Sequence, residues 1–381
     1  MDFDNDFRGS FADENVRFTT QVIKLSHYGD SYWKTMVFVE NDRFVTVNDE
    51  WVSVPGSNEA VKAIAVSADT YVNHTTELLQ SWLYDLFINA NINDCILVAF
   101  GPKDSATEAD LEAAYELMKM YAYHKTVCAG GDNVNDTEAL KYELKLAKLC
   151  KADNEFISSI PYFPMITATP DTDPLYQAIS KEGTADAFMV YHADTTRNGA
   201  LYLLGLALAD MNNGSGTPVG NSLNMQKSGN ITSSGPDGSV PTPGQKTILD
   251  NAKVGYFKPV GDNSGNVACE NGYSIKGDMV SATWVKGYIT YMVKVGIAIL
   301  ITQRNFKKNE SIYGKFIQIL SNYISKFGSA GVLEDTAITA PMYQNLPPAS
   351  KSLITIPNAW VATYSDGVHE VRITGTMYIG A

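Results

Sequence analysis

A histidine beside a carboxylate is the commonest side-chain route to acid–base chemistry near neutral pH. The chain holds five histidines, His27, His74, His124, His192 and His369, and only His192 stands in a telling place. It ends the apolar run Ala187–Tyr191, and Asp194 follows two residues later. A run of that kind reads as a buried strand, and α/β sheets place ligands at the C-terminal ends of parallel strands. A hydrolytic triad would also need a nucleophile on a G-x-S-x-G turn, which the sequence lacks. His192 therefore reads best as a hydrogen-bonded structural histidine. The alternative is a small-molecule enzyme on a doubly wound sheet, with His192 and Asp194 in its cleft.

Other chemistry finds less support. No H-E-x-x-H occurs, and Cys95, Cys128, Cys150 and Cys269 show no C-x-x-C spacing, so neither a zinc site nor a disulfide scaffold is expected. The cysteines read as reduced core thiols. The stretch Gly214–Gly220 sets its third glycine one place late for a dinucleotide loop, follows a helical pattern, and has Asn221 where a phosphate-cradling loop needs Lys. Asp171 and Asp173 sit among prolines, where carboxylates build turns and cap helices. Asp262–Asn266 weakly resembles a calcium loop, but Tyr273 occupies the place of the bidentate Glu. No catalytic residue, cofactor or metal is expected.

The elements that would carry such residues alternate. Thr75–Ala90 has helical apolar spacing, Asp94–Phe100 reads as a strand, and Ser105–Glu108 reads as a capping box opening a helix through Leu111, Ala114, Tyr115, Met118 and Ala122. Lys125–Ala129 reads as a strand and a helix follows to about Lys151. A short helix from Asp173 to Lys181, a strand at Ala187–Tyr191 and an apolar helix at Asn198–Met211 repeat the pattern. Such alternation predicts a largely parallel sheet flanked by helices. Residues 212–244 are rich in Gly, Ser, Asn and Pro and read as a loop or junction. Beyond them come a helix at Gln245–Ala252, a strand at Gly255–Val260, long helices at Met279–Gln303 and Ser311–Phe327, and strands at Ser352–Pro357 and Val368–Ile379. In the last strand Val371, Ile373, Met377 and Ile379 alternate with polar residues. It reads either as an edge of the chain's own sheet or as an arm that completes a neighbour's sheet.

Composition sets the outer limits. The 381 residues include 42 acidic and 29 basic side chains, a net charge of −13, with 45% hydrophobic and 19% charged residues. This is enough apolar surface to order the chain. The acidic balance argues against binding nucleic acid or anionic lipid. Ala200–Ala209 is too short to span a bilayer and Val285–Ile301 carries two lysines, so both read as core helices. The acidic start of the chain does not resemble a signal peptide. Charge is uneven: residues 1–100 hold 15 acidic and 6 basic side chains, whereas 285–330 hold seven basic ones and only Glu310 as an acid. Lys294, Arg304, Lys307, Lys308 and Lys315 in that basic region are candidates for a polar interface between subunits.

In order and character these features resemble the tail sheath protein of contractile-tailed phages and related injection machines. The resemblance runs from Trp51–Pro55 to the C-terminus. It rests on Asp94–Phe100, Lys125–Ala129, the strand-to-helix segment Phe188–Gly205, the helix-then-strand Ile248–Val260, the paired helices in Gly272–Gly331 and the closing strand Val368–Ile379. It departs at the front, where no proline precedes Pro55 although many members open with a proline-containing arm. The chain is also short for the family, implying few or no outer decorating domains.

The resemblance implies an α/β (α+β) fold with a mixed, partly parallel sheet flanked by helices and terminal strands available for sheet augmentation between subunits. The expected divisions are an arm with leading strands at 1–50, an α/β domain at 51–211, a loop or linker at 212–244, a sheath domain with two long helices at 245–365 and a strand arm at 366–381. The implied role is structural: a virion tail protein, assembled in the host bacterial cytoplasm, that stacks as hexameric rings. Its implied partners are itself, a tail tube protein, and baseplate and tail terminator proteins, with no nucleic acid and no membrane. Another virion component, such as a tube-associated or capsid protein, is a further alternative.

Overall fold

The structure is a computed structural model that describes residues 35–40, 52–53, 61–73, 75, 77–88, 95–102, 105–118, 124–127, 137–152, 160–211, 227–228, 230–259, 266–302, 310–329, 332–346, 355–365 and 370–378. Its first half supplies β1 (Thr35–Glu40), β2 (Val52–Ser53), β3 (Lys62–Val66), α1 (Glu77–Phe87), β4 (Cys95–Phe100), α2 (Glu108–Met118), β5 (His124–Val127) and α3 (Thr137–Ala152). These strands form one sheet in the order β2-β3-β4-β1-β5. β1 runs parallel to β4 and β5, while β3 is antiparallel to β4 and β2 to β3. The run Thr-Met-Val-Phe-Val is apolar on both sides of the pleat, which suits an interior strand, and all five residues are buried.

A second sheet follows from β6 (Tyr162–Met165), α4 (Pro174–Lys181), β7 (Phe188–Tyr191), α5 (Gly199–Met211), β8 (Lys227–Ser228), α6 (Pro243–Asn251), β9 (Gly255–Pro259) and β10 (Val267–Glu270). Its order is β6-β7-β9-β10-β8, with β6, β7 and β9 parallel and β10 antiparallel to both neighbours. The alternation of elements thus gives two mixed sheets rather than one largely parallel sheet, because antiparallel strands, β2 and β3 in the first and β10 and β8 in the second, flank the parallel ones. α7 (Val280–Thr302) and α8 (Glu310–Ser329) come next. The chain closes with a three-stranded antiparallel sheet of β11 (Leu333–Ile338), β12 (Thr355–Ser365) and β13 (Glu370–Tyr378).

The period-two alternation of strand side chains sorts the interior into two cores. Val37, Val39, Cys95, Leu97, Phe188, Val190, Phe257 and Cys269 join α1, α5, α7 and α8 on one side. Met36, Phe38, Ile96, Val98, Phe163, Met189 and Tyr256 join α2, α3, α4 and α6 on the other. Each core draws on both sheets, so the strands form a middle layer between two layers of helices. β12 joins the first core through Ala359, Trp360 and Ala362. The apolar helices α5 and α7 are explained by this burial, and among the described residues no helix is long and apolar enough to cross a membrane. Cys95, Cys150 and Cys269 are buried free thiols, as expected, and Cys128 lies outside the described residues.

Local signals fix several boundaries. α2 is capped by Thr107, not by Ser105: the Asp110 carboxylate accepts from the Thr107 backbone at 2.8 Å while Asp110 N–H donates to the Thr107 hydroxyl at 3.3 Å. The shorter Asp closes the same reciprocal box that Glu108 would have closed two residues earlier. Asp173 caps α4 as expected, accepting from Tyr176 N–H at 2.8 Å. Gly205 lets α5 lie directly on the Leu86 carbonyl of α1, where any Cβ would collide.

Candidate functional site

The strand-end crevice of the second sheet is where chemistry would be sought in an α/β protein. His192 does lie there, at the end of β7, but it is only 2% exposed. Its Nδ1 accepts the Asp194 backbone N–H at 3.2 Å, and its Nε2 faces the Thr232 hydroxyl at 3.4 Å. The Asp194 carboxylate turns away from the ring, taking the Thr196 backbone N–H at 2.9 Å and the Thr196 hydroxyl at 2.7 Å. His192 and Asp194 are thus neighbours without forming an acid–base dyad. Burial holds the His192 imidazole below its ordinary pKa.

A segment of the chain itself is hydrogen-bonded at this strand end. Ser234 accepts from Ala193 N–H at 2.8 Å, donates its own N–H to the Phe257 carbonyl at 3.1 Å, and receives Phe257 N–H on its hydroxyl at 2.7 Å. Residues 230–235 thereby bridge the chain just past the end of β7 to the middle of β9. Just behind, the buried Asp85 carboxylate on α1 receives Arg197 Nε at 2.8 Å and the Asn198 backbone N–H at 2.7 Å. Asn198 in turn caps α5 by accepting Leu201 N–H at 3.0 Å. Burial outweighs these donors and lifts the Asp85 carboxyl to about 6. This group ties α1 to α5, and the two helices belong to different sheets. Among the described residues no three His, Cys, Asp or Glu side chains gather to hold a metal.

The terminal sheet offers a different kind of site. β12 lies between β11 and β13, so each outer strand has a side without a partner among the described residues. β13 pairs with β12 along Ser365↔Glu370, Tyr364↔Val371, Ala362↔Ile373 and Ile356↔Met377. Val371, Ile373 and Met377 therefore share this strand, and Ile379 lies outside the described residues. β11 is the less regular edge: its register shifts between Glu334 and Ala337, and Asp335 takes a positive φ of 46°. Sequence reasoning missed most of β12 because Pro357 interrupts it. The strand absorbs that proline at a register shift between Ile356 and Trp360, where an N–H is not required. The run Ala359–Tyr364, rich in β-branched and aromatic residues, was the available signal.

The sheet rests on α7 and α8. Ile312, Tyr313, Phe316, Leu320, Ile324 and Phe327 form the buried stripe of α8. Its opposite face exposes Ser311, Gly314, Lys315, Gln318, Asn322, Ser325 and Lys326. Of the interface candidates, Lys315 is therefore on the outer face. Lys294 belongs to α7, and Arg304, Lys307 and Lys308 lie outside the described residues.

No protein-family model matches the chain, and no curated protein matches it. Solved structures do match in fold. A chain of the six-fold symmetrised anti-feeding prophage baseplate aligns with a TM-score of 0.61 at 9% identity, covering 92% of this chain and 91% of the other. The helical sheath of the same particle in its contracted state aligns at 0.54 and 10% identity, covering 91% and 90%. The contracted sheath complex of the PVC extracellular contractile injection system aligns at 0.52 and 10% identity, covering 92% and 89%. The α/β architecture is thus one that this chain shares, nearly end to end, with components of contractile injection machines.

Proposed function

We propose that this chain is a structural sheath subunit that polymerises as stacked hexameric rings around a tail tube and contracts to drive the tube through a cell envelope. The observation that carries the reading is the fold likeness to two contracted sheaths over about nine-tenths of both chains. The site geometry supports it from two directions. At the strand end where a substrate would be sought, Ser234 is instead hydrogen-bonded to Ala193 and Phe257. The outer strands of the terminal sheet each have a side without a partner among the described residues.

Strand addition to such an edge supplies backbone hydrogen bonds without side-chain specificity. It therefore lets neighbours stay linked while their packing changes. In this reading β13, with Val371, Ile373, Met377 and Ile379, completes or extends a neighbour's sheet. The basic set Lys294, Arg304, Lys307, Lys308 and Lys315 forms a polar interface with a second subunit or with the tube. The remaining partners are the baseplate and the tail terminator, and the location is a tail assembled in the bacterial cytoplasm.

The test is electron microscopy of the full chain beside a version lacking residues 366–381, with and without a tail tube as template. The full chain is expected to form striated tubes or six-fold rings, and the truncated chain to remain folded but unassembled. Normal tubes from the truncated chain would sink the strand-linkage part of the reading. Absence of any assembly on a tube would sink the whole.

A further inference from the structure

We infer that residues 230–235 are a strap held shut by the neutral form of His192, and that protonating this ring releases the strap from Ala193, just past β7, and from Phe257 of β9. The inference stands apart from the sheath reading, because it concerns one subunit by itself.

The geometry determines the tautomer. A backbone N–H can only donate, so the Asp194 N–H at 3.2 Å from Nδ1 requires that nitrogen to be unprotonated. The proton then sits on Nε2, which faces Thr232 of the strap. The ring is 2% exposed and stands edge-on to Phe257, with 6.4 Å between centroids. A second proton on Nδ1 would point at the Asp194 N–H, donor against donor, in a place almost closed to solvent.

The charged surroundings compensate that proton only in part, and burial outweighs what they offer. On the α5 side stands Arg197, a cation, whose guanidinium is bound to Asp85 and reaches the Asn230 carbonyl at 3.2 Å, where the strap begins. Asp194 has the right sign and favours the cation from a distance, but its carboxylate is hydrogen-bonded to Thr196 and not to the ring. β9 brings Lys258, whose ammonium pairs with Glu270. β6 and residues 231–235 carry no charged side chain. Burial lowers the imidazole's affinity for a proton, in the same sense as the geometry. A cationic His192 is relieved only by turning out to solvent, which removes the Thr232 contact and the packing on Phe257. Opening would uncover Ser233 and Ser234, which are buried, together with the backbone groups of Ala193 and Phe257 that Ser234 now satisfies. It would also free the downstream end of the Gly-, Ser-, Asn- and Pro-rich stretch.

The amides of Ala193, Ser234 and Phe257 report the closed strap directly. Hydrogen exchange, corrected for the intrinsic effect of pH, should show their protection falling by up to about 30-fold between pH 8 and pH 5. That is the factor set by an imidazole that binds a proton near its ordinary 6.5 only when the strap is open. His192→Gln offers an acceptor and a donor without titrating, so its protection should be independent of pH. An unchanged 30-fold loss in that variant would overturn the inference. Should the variant fail to fold, NMR titration of the His192 ring in the natural chain decides the matter. Ring protonation in step with the loss of protection supports the strap, and protonation at or above pH 6.5 with the amides still protected refutes it.

Discussion

Two lysine-bearing helices in this molecule use the same side chain for opposite ends. On α3 the lysines face other parts of the chain. Lys145 pairs with Glu112 of α2 at 2.5 Å, and Lys148 pairs with Glu182 beyond α4 at 2.9 Å. Lys151 reaches both Asp186 before β7, at 3.7 Å, and Asp278 before α7, at 3.4 Å. Asp186 is buried and also receives the Ser274 hydroxyl at 2.9 Å, the Ala187 N–H at 2.9 Å and the Lys276 N–H at 3.3 Å. On α8, Lys315 and Lys326 stand on the exposed face, and among the described residues neither has an acidic partner. The contrast teaches that net charge along a segment does not reveal its use. A cation opposite acids of neighbouring elements stitches the fold, whereas one left on an outer face is available to another molecule.

The sharpest way to break this contrast is at the buried end of the α3 stitching. Asp186→Ala should lower stability by about 3 kcal/mol in chemical denaturation, because it strands the buried Ser274 hydroxyl and two backbone N–H groups, while Lys151 keeps Asp278. An unchanged midpoint would mean the cluster is ornamental. A second buried carboxylate, Asp85, tests the same point through pH. Its carboxyl is held at about 6, so the folded state binds this proton more tightly than the unfolded chain. Its contribution is therefore fullest below about pH 4 and is lost as pH rises to about 6, a change of about 3 kcal/mol. Asp85→Asn should remove that slope from a series of denaturation curves between pH 4 and 7.

Smaller effects belong to the surface. Lys145→Ala removes a half-exposed pair and should cost about 0.5 kcal/mol, read as a small shift in melting temperature. The double change Lys315→Glu, Lys326→Glu should alter the stability of the single subunit least of all, by under about 0.5 kcal/mol. Yet it should abolish assembly at low salt if the α8 face meets an acidic surface. Tubes that form as readily as those of the natural chain would remove α8 from the proposed interface.

Much of the fold was legible locally. Short apolar runs located β4 and β7, the strand expected at Gly255–Val260 matches β9, helical spacing located α1 and α2, and Asp173-Pro174 marked the start of α4. Those signals act within a few residues, so pattern alone reveals them. β1 was not picked out, although it is an interior strand of the first sheet. Its partners β4 and β5 lie some 60 and 90 residues away in sequence, and a lone apolar run does not announce them. The same limit hid the role of residues 230–235. A stretch rich in Ser and Gly reads as loop, and only the arrangement of β7 and β9 turns Ser234 into a bridge between them.

By itself, then, the sequence determined the element types, the two faces of each strand, the absence of a nucleophile elbow and the excess of cations near the end of the chain. The tertiary structure decided which sheet each strand joined, which lysines met acids and whether His192 faced a substrate cleft or the chain's own backbone. The division follows from distance. Backbone geometry and amphipathic period are set by neighbours along the chain, whereas burial, ion pairing and proton affinity depend on groups that folding brings together from remote positions.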